Sequence, residues 1–410
     1  MERKEAHRAV TRGEWRNGWR VVAAGMVGIG CGPGLYQNLS SMFAPGMIAE
    51  FGWTRGALAT AVGVGLLGAL GVPLLGRIGD RTGPRLLIAG AMLLLAAAFI
   101  GFANLHGGLA SYSLLVALLS LSVAGTSAMV YGPLIVARFV RHRGLALGVA
   151  TSGISPATLL LSPLVGWIIA AYGWRAGFLA LGGLTALVAL PAVLLLLRGA
   201  DTAPAAAAPA AAAGPGAAAV RRDGRFWRLA ASGALVNIGC IGLLTSLVPI
   251  GLERGLTAGQ AALLISAFGA SEVVGRLSMG ALVDRWRAQY AAASFAALSA
   301  LAFAGLLLPA PGLPAMLALV FVAGLMYGSE YDLLPFLTVR LFGLRAYGES
   351  YGTLLTVALF GTAAGVVAFG RLYDATGGYG AALALGGAAL GIAAILFLTL
   401  REDAPPASAA

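Results

Sequence analysis

The chain alternates between apolar stretches of about twenty residues and short polar connections, a rhythm that predicts membrane-crossing helices. Twelve stretches, centred near residues 33, 65, 94, 124, 158, 186, 240, 270, 298, 327, 360 and 389, are long enough to span a bilayer. Several exceed the roughly 20 residues that a perpendicular helix needs, so tilt is expected. Between residues 199 and 224 the pattern breaks into Gly-Ala-Asp-Thr-Ala-Pro, an alanine run, Gly-Pro-Gly and Arg221-Arg222-Asp223-Gly224. Its prolines and missing amphipathic stripe predict a cytoplasmic linker whose basic end anchors the seventh helix. The organisation expected is an N-terminal segment 1–19, a six-helix bundle 20–198, the linker 199–224, a second six-helix bundle 225–400 and a tail 401–410. The fold class is all-α membrane protein, with twelve transmembrane helices in two pseudo-symmetric bundles.

Composition sharpens the class. With 59% hydrophobic and only 10% charged residues, the chain lacks the charged fraction of about 25% found in soluble domains. No short apolar core with a small-residue exit precedes the first span, which is therefore expected to be retained. The 27 lysines and arginines give the orientation, because basic residues stay on the side from which translocation is disfavoured. Of these, 22 fall in the termini and the even-to-odd connections. Arg55, Arg175, Arg254 and Arg371 lie on the opposite side, and Arg276 lies within the membrane. Both termini are thus predicted to be cytoplasmic. The net charge of +11 is then a topology signal with weak attraction to anionic membrane lipid, and it gives no reason to invoke nucleic acid.

The halves repeat one another. Ala23-Ala24-Gly25 followed by Ile29-Gly30-Cys31 returns as Ala231-Ser232-Gly233 followed by Ile238-Gly239-Cys240. Gly76 through Asp80-Arg81 returns as Gly280 through Asp284-Arg285 at an offset of 204, which also relates Gly144 and Gly148 to Gly348 and Gly352 and Gly166 to Gly370. Duplicated bundles of this kind are a transporter signature, with binding near the midplane between repeats.

Against that repeat, some charges stand out because only one half has them. Glu272 aligns with Gly68 and Arg276 with Val72, while a 202 offset sets Glu330, Tyr331 and Asp332 opposite Ala128, Met129 and Val130. A charge at the bilayer centre costs roughly 2.5 to 3.5 kcal/mol even on insertion scales, so such residues face a partner or a polar cavity. Glu272 and Arg276 are spaced i, i+4 and are able to meet. Read functionally, Arg276 anchors an anionic substrate and Glu272 binds a proton; read structurally, the pair fixes helix packing.

Other polar groups frame this pair. Tyr327, Glu330 and Tyr331 share a broad helical face, with Asp332 turned roughly 100° from Tyr331. Tyr331 offers an aromatic wall and a hydroxyl, and Glu330 and Asp332 are further proton carriers, Arg276 partners or polar helix glue. In the first half, Tyr36, Gln37 and Asn38 follow Gly32-Pro33-Gly34, and Tyr131-Gly132-Pro133 interrupts the fourth span. Tyr36, Asn38 and Tyr131 are the first-half candidates for substrate contact, with Asn237 weaker; packing and interhelical hydrogen bonds are the competing roles. Cys31 and Cys240 occupy repeat-equivalent positions that suit packing, with no disulfide implied. His7, His106 and His142 lie in terminal or loop positions, which leaves no imidazole relay or metal cluster. No phosphate-binding loop or nucleophile-base constellation is found, so an enzyme is excluded and energy is expected from an ion or solute gradient. No cofactor and no protein partner are expected.

From residue 19 to 400 the chain resembles the major facilitator superfamily. The stretch Gly76-Arg77-Ile78-Gly79-Asp80-Arg81-Thr82-Gly83-Pro84-Arg85 is similar to the superfamily's loop between the second and third helices. That resemblance makes Asp80 and Arg81, with their repeat counterparts Asp284 and Arg285, gating residues of a conformation-sensitive latch. Within the superfamily, the chain is most similar to the monocarboxylate transporters and the bacterial oxalate and lactate carriers. Glu272-Val273-Val274-Gly275-Arg276 resembles their acid-x-x-x-Arg helix, Arg143-Gly144-Leu145-Ala146-Leu147-Gly148 their fifth-helix entry, and Phe51-Gly52-Trp53-Thr54-Arg55 their second-helix entry.

The resemblance implies an acid that couples protons and an arginine that holds carboxylate. Two departures matter. Lys4 is the chain's only lysine, so the lysines that animal monocarboxylate transporters and oxalate carriers place in the membrane have no counterpart; Asn38 falls about where the first-helix lysine would be. The acid is also Glu where Asp is commoner. One intramembrane arginine favours a single carboxylate over a compact dianion, whose second charge would be unpaired. The expected function is secondary transport of a small organic anion, a monocarboxylate, with a proton by alternating access in a prokaryotic inner membrane. The alternatives are proton-coupled export of a cationic or amphipathic compound, organic-anion exchange, and a non-transporting sensor.

Overall fold

Glycines and prolines set where the helices stop. The computed structural model describes residues 2–139, 142–198, 216–283, 285–309, 312–343 and 347–400, with the side chains of all of these except 2–13, 73, 76, 77, 80, 143, 144, 217, 331, 332, 347 and 348. In the first half of the chain the helices are α1 (Glu2–Gly30), α2 (Pro33–Phe51), α3 (Arg55–Leu66), α4 (Val72–Thr82), α5 (Pro84–Ala103), α6 (Leu109–Leu121), α7 (Val123–Thr126), α8 (Ala128–Val136), α9 (Arg143–Thr151), α10 (Ile154–Tyr172), α11 (Trp174–Gly183) and α12 (Leu190–Leu196). In the second they are α13 (Ala217–Arg222), α14 (Gly224–Leu244), α15 (Leu247–Glu253), α16 (Ala258–Val283), α17 (Ala288–Leu306), α18 (Leu313–Phe342), α19 (Tyr347–Thr376) and α20 (Gly380–Leu398). No strand occurs among the described residues.

Among the described residues, 10 helices are long and apolar enough to cross a membrane. The two predicted spans outside that set are the first and second, and local chemistry explains both. The first is cut at Cys31-Gly32, where α1 ends and Pro33, lacking an N–H, opens α2. The second is interrupted by a 3₁₀ turn over Leu67–Gly71, which leaves Arg55–Gly71 as a shorter apolar helix.

The chain divides into two compact units. The first comprises Met1–Phe51 and Val64–Ala208, the second Gly52–Gly63 and Pro209–Ala410. The segment 52–63 therefore groups with the second unit, although sequence reading places it in the first bundle. Specific bonds hold it there: Gly56 N–H donates to Asp374 Oδ2 at 2.9 Å, Arg371 Nε to Thr60 Oγ1 at 3.2 Å, and Arg55 Nη1 to the Tyr379 hydroxyl.

The first unit combines an aliphatic core around Val22, Ile88, Ile135 and Val193 with an aromatic cluster. Tyr36, Phe43, Phe99, Phe102 and Phe178 pack together, Phe102 stacking on Phe178 with centroids 4.8 Å apart. The second unit relies on close helix crossings instead. Gly361 and Gly365 of α19 lie against the α14 backbone at Ala234 and Ile238, and Gly275 of α16 lies against the Leu325 carbonyl of α18. Small residues permit such approaches where apolar burial offers little driving force between helices in lipid. Leucines meanwhile face outward, Leu160 at 72%, Leu187 at 78% and Leu301 at 68% exposure. This is the expected surface of a chain whose solvent is hydrocarbon.

Candidate functional site

The seam between α16 and α18 positions the acidic and basic groups of the second unit. A methyl group at Gly328 would overlap the Glu272 backbone, and one at Gly324 would overlap the Ser271 hydroxyl. Across the same seam, Ser329 Oγ donates to the Gly275 carbonyl at 3.0 Å. Glu272 is buried, at 4% exposure, and Arg276 one turn later is half-buried with its Nε and Nη1 atoms enclosed. Both stand in the apolar span Ala258–Val283. Tyr327 of α18 is buried nearby and packs on Phe268 of α16, centroids 5.7 Å apart.

A second polar constellation joins three helices. Asn237 of α14 donates from Nδ2 to Glu330 Oε1 of α18 at 2.8 Å and to the Gly233 carbonyl at 2.9 Å. Its Oδ1 accepts from Thr362 Oγ1 of α19 at 3.1 Å. Glu330 is also 4% exposed, and its Oε2 is buried with no hydrogen-bond partner among the described residues. Cys240, one helical turn beyond Asn237, lies within electrostatic range of both Glu330 and Glu272. Thr362 was not among the sequence candidates, because one threonine in an apolar helix carries no signal until its partner is known. Asn237 had only its amide to mark it.

In the first unit two of the three candidates have side-chain hydrogen-bond partners. Asn38 Nδ2 donates to Thr158 Oγ1 of α10 at 2.9 Å, and Thr158 donates in turn to the Ile154 carbonyl. Tyr36 lies within the aromatic cluster, its hydroxyl 3.1 Å from that of Tyr112. Tyr131 is fully buried, with its ring against α1 and its hydroxyl packed where any side chain at Gly28 would fall. These placements give Asn38 and Tyr36 partners on neighbouring helices, while the buried Tyr131 hydroxyl has no hydrogen-bond partner among the described residues.

Of the remaining candidates, the side chains of Tyr331, Asp332 and Asp80, and the whole of Asp284, lie outside the described residues. Arg81 and Arg285 are exposed. Helix α4, with Arg81 in its last turn, ends at Gly83, whose φ of 88° and ψ of 155° suit only glycine, before Pro84 opens α5. Among the described residues no group of three or more His, Cys, Asp or Glu is placed to hold a metal ion.

The four arginines that stand apart in the charge pattern, Arg55, Arg175, Arg254 and Arg371, each make a specific bond. Arg55 and Arg371 hold the 52–63 segment. Arg175 donates to Glu50 Oε2 and to the Leu105 carbonyl, and Arg254 donates to the Leu306 carbonyl. Trp174 Nε1 also donates to Glu50 Oε2 at 3.0 Å. The Arg175 hydrogen bond, opposed by desolvation and aided by the Trp174 hydrogen bond and the Arg175 charge, holds the Glu50 carboxyl below its ordinary value.

Comparison with known proteins gives the context for these groups. The family model of the Major Facilitator Superfamily matches residues 25–354. The chain is 30% identical to Monocarboxylate transporter 11 of Homo sapiens over 96% of its own length and 84% of that protein. It is 31% identical to an uncharacterized 38 kDa protein of Thermoproteus tenax, covering 92% of this chain and 94% of that one. It is 26% identical to human Monocarboxylate transporter 12, of which it spans 56%. Among solved structures it is similar to a bacterial homologue of the human lysosomal transporter Spinster, in an inward-facing conformation, with a TM-score of 0.67, 15% identity and 95% coverage of both chains. At that identity the likeness concerns the fold alone.

Proposed function

Because the chain belongs to the Major Facilitator Superfamily, and is thus a multi-pass membrane transporter of small molecules and not an enzyme, we propose that it carries a monocarboxylate together with a proton. Arg276 holds the carboxylate, and the acids of α16 and α18 manage the proton. The observation that carries this reading is Arg276 itself: a cation one turn from buried Glu272, with enclosed guanidinium nitrogens, inside an apolar helix. Maintaining a charge there is costly unless it is used, and a guanidinium presents a planar fork that matches a carboxylate. The monocarboxylate transporters among its relatives support the same substrate class.

Co-transport is physically economical. An anion and a proton cross as a neutral pair, and Arg276 returns to an internal acid when the substrate leaves. Tyr331 and Asp332 remain proposed as wall and proton group, and Asp80, Arg81, Asp284 and Arg285 as gating residues. The excess of arginine and lysine beside the even-to-odd connections supports cytoplasmic termini, in a prokaryotic cell membrane.

The test is reconstitution into liposomes with an internal pH dye, with protein-free liposomes to subtract passive acid permeation. A short monocarboxylate should cause protein-dependent acidification, lost in Arg276→Gln. Retained saturable uptake at normal affinity in that variant would remove Arg276 from its role. The buried Glu330, whose hydrogen-bond donor is a neutral amide, favours a second reading, proton-coupled export of a cation. Alkalinisation evoked by an organic cation in the same assay would select it.

A further inference from the structure

Two buried acids serve the second unit, and their surroundings differ. Glu272 has an arginine one turn along its own helix, with the acid N-terminal to the base, the favourable order for an i, i+4 pair. Among the described residues Glu330 has a single hydrogen-bond donor, the Asn237 amide on Oε1, and none on Oε2. We propose that Glu330 binds the co-transported proton, with Asn237 and Thr362 positioning it, while Glu272 is the standing counter-charge of Arg276. This assignment rests on the proton-symport reading above.

The orientation of Asn237 is fixed by its surroundings. The Gly233 carbonyl only accepts, so Nδ2 must face it, and the second hydrogen of that amide is directed to Glu330 Oε1. Thr362 completes the lock by donating to Oδ1. Glu330 is thus offered one neutral donor, the pattern that suits the carbonyl oxygen of a carboxylic acid with its proton on Oε2. The acid leaves its Oε2 hydroxyl unpaired among the described residues, and a carboxylate in the same place would leave a charged oxygen unpaired, the costlier of the two at low dielectric. Proton loss from Glu330 would therefore be felt where α14, α18 and α19 meet, which is what coupling to a conformational change requires.

The repeat supplies the comparison. Alignment of Ile238-Gly239-Cys240 with Ile29-Gly30-Cys31 sets Asn237 opposite Gly28, and Glu330 opposes Ala128. In the first unit, Gly28 is covered by Tyr131 of the Ala128–Val136 helix. The same crossing packs without a carboxyl, so Glu330 and its amide are additions to it.

The titratable and charged groups around Glu330 can be named for each neighbouring helix. From α14 there is Cys240, and from α16 Glu272 and Arg276. On α17 the only titratable residue is Tyr290, in its first turn; α19 contributes Thr362 at this level and has its charged residues, Glu349, Arg371 and Asp374, towards its ends. On α18 itself there are Tyr327, a turn before Glu330, Tyr331 and Asp332 directly after it in sequence, and Arg340 towards the helix end.

The experiment uses proteoliposomes of the full chain and radiolabelled L-lactate and pyruvate as probes. Two fluxes are read: accumulation driven by an inward proton gradient, and counterflow exchange at equal pH. Glu330→Gln is expected to lower accumulation at least ten-fold more than counterflow, and Glu272→Gln to raise KM while accumulation continues to follow the pH gradient. Accumulation by Glu330→Gln that still follows the gradient overturns the proposal, as does a Glu272→Gln variant that exchanges but no longer accumulates. If Glu330→Gln loses both fluxes, Asn237→Ala decides: a pH midpoint of uptake displaced by about one unit supports the assignment, and an unmoved midpoint overturns it. A wild type that exchanges yet ignores the proton gradient would instead sink proton symport itself, a result distinct from all of these.

Discussion

Gly328 of α18 lies flat against the backbone of Glu272 on α16, with no room for a Cβ between them. The acid's place is therefore set by how closely two helices approach, and only secondarily by its own side chain. Gly275 and Gly324 continue the seam on either helix, against the Leu325 carbonyl and the Ser271 hydroxyl. Register and depth of the Glu272–Arg276 pair follow from glycines placed four residues apart on α18.

Filling that seam should be more damaging than removing polar contacts around it. Gly328→Val is expected to cost about 1 to 3 kcal/mol by overpacking, or more if the helices cannot separate. Transport should fall with it, because the pair is displaced. Gly391→Ala on α20, where an added Cβ meets nothing, should be neutral or slightly stabilising through helix propensity. Thermal unfolding in detergent, read beside uptake in liposomes, checks both.

Arginine and lysine should not be interchangeable at position 276. Lysine keeps the charge but loses the planar fork that meets both oxygens of a carboxylate. Arg276→Lys is expected to lower kcat/KM for a monocarboxylate by about ten-fold to a hundred-fold, or about 1.4 to 2.8 kcal/mol. Equal rates for wild type and Arg276→Lys would show that a point charge suffices. Concentration-dependent uptake into liposomes measures the ratio.

At the end of α2, outside the candidate spans, the Glu50 carboxyl is held below its ordinary value by Arg175 first and Trp174 after it. The sign follows directly. A carboxyl whose folded value is depressed stabilises the fold above its unfolded value and loses that contribution as pH falls through the folded one. Wild type should therefore be more stable than Glu50→Gln at neutral pH, and the difference should shrink as pH falls below about 4.5. Both partners are substantially exposed, so the difference should be small and weaken in high salt. Melting temperatures of the two proteins between pH 7 and 3 test it.

Much of this was legible in the sequence for one reason: in lipid, polar groups are costly, so each one is a signal. The apolar rhythm gave the helices, the repeat gave the two halves, and asymmetry against the repeat singled out Glu272, Arg276 and Glu330. What remained hidden depends on three-dimensional partners. Nothing in the local sequence distinguishes Tyr36, spent on an aromatic cluster, from a tyrosine lining a cavity. Thr362 gains meaning only from Asn237, more than a hundred residues away in sequence. The interruption at Leu67–Gly71 was concealed because Gly, Leu and Ala are as apolar in a turn as in a helix. Arg55 and Arg371 were visible as exceptions to the charge rule, but that rule gives side and not contact.

The start of α3 offers a final test, because two residues satisfy its first free N–H groups from different places. Thr54 Oγ1 accepts from Ala57 N–H at 3.1 Å within the same turn, while Asp374 Oδ2 of α19 accepts from Gly56 N–H at 2.9 Å from far along the chain. A helix N-terminus carries unsatisfied donors and a partial positive charge, so a carboxylate there acts as cap and as counter-charge. Removing a cap costs about 0.5 to 2 kcal/mol. Asp374→Ala should therefore raise hydrogen exchange of the peptide containing Gly56 and Ala57, and Asp374→Asn, which keeps an accepting oxygen, should raise it less. Thr54→Ala should raise exchange of the same peptide yet leave that containing Arg371 and Asp374 unchanged. If Asp374→Ala has no effect on the Gly56 peptide, the bond from α19 does not hold the start of α3, and Arg55, stacked 3.9 Å above the Tyr373 ring, becomes the residue that does.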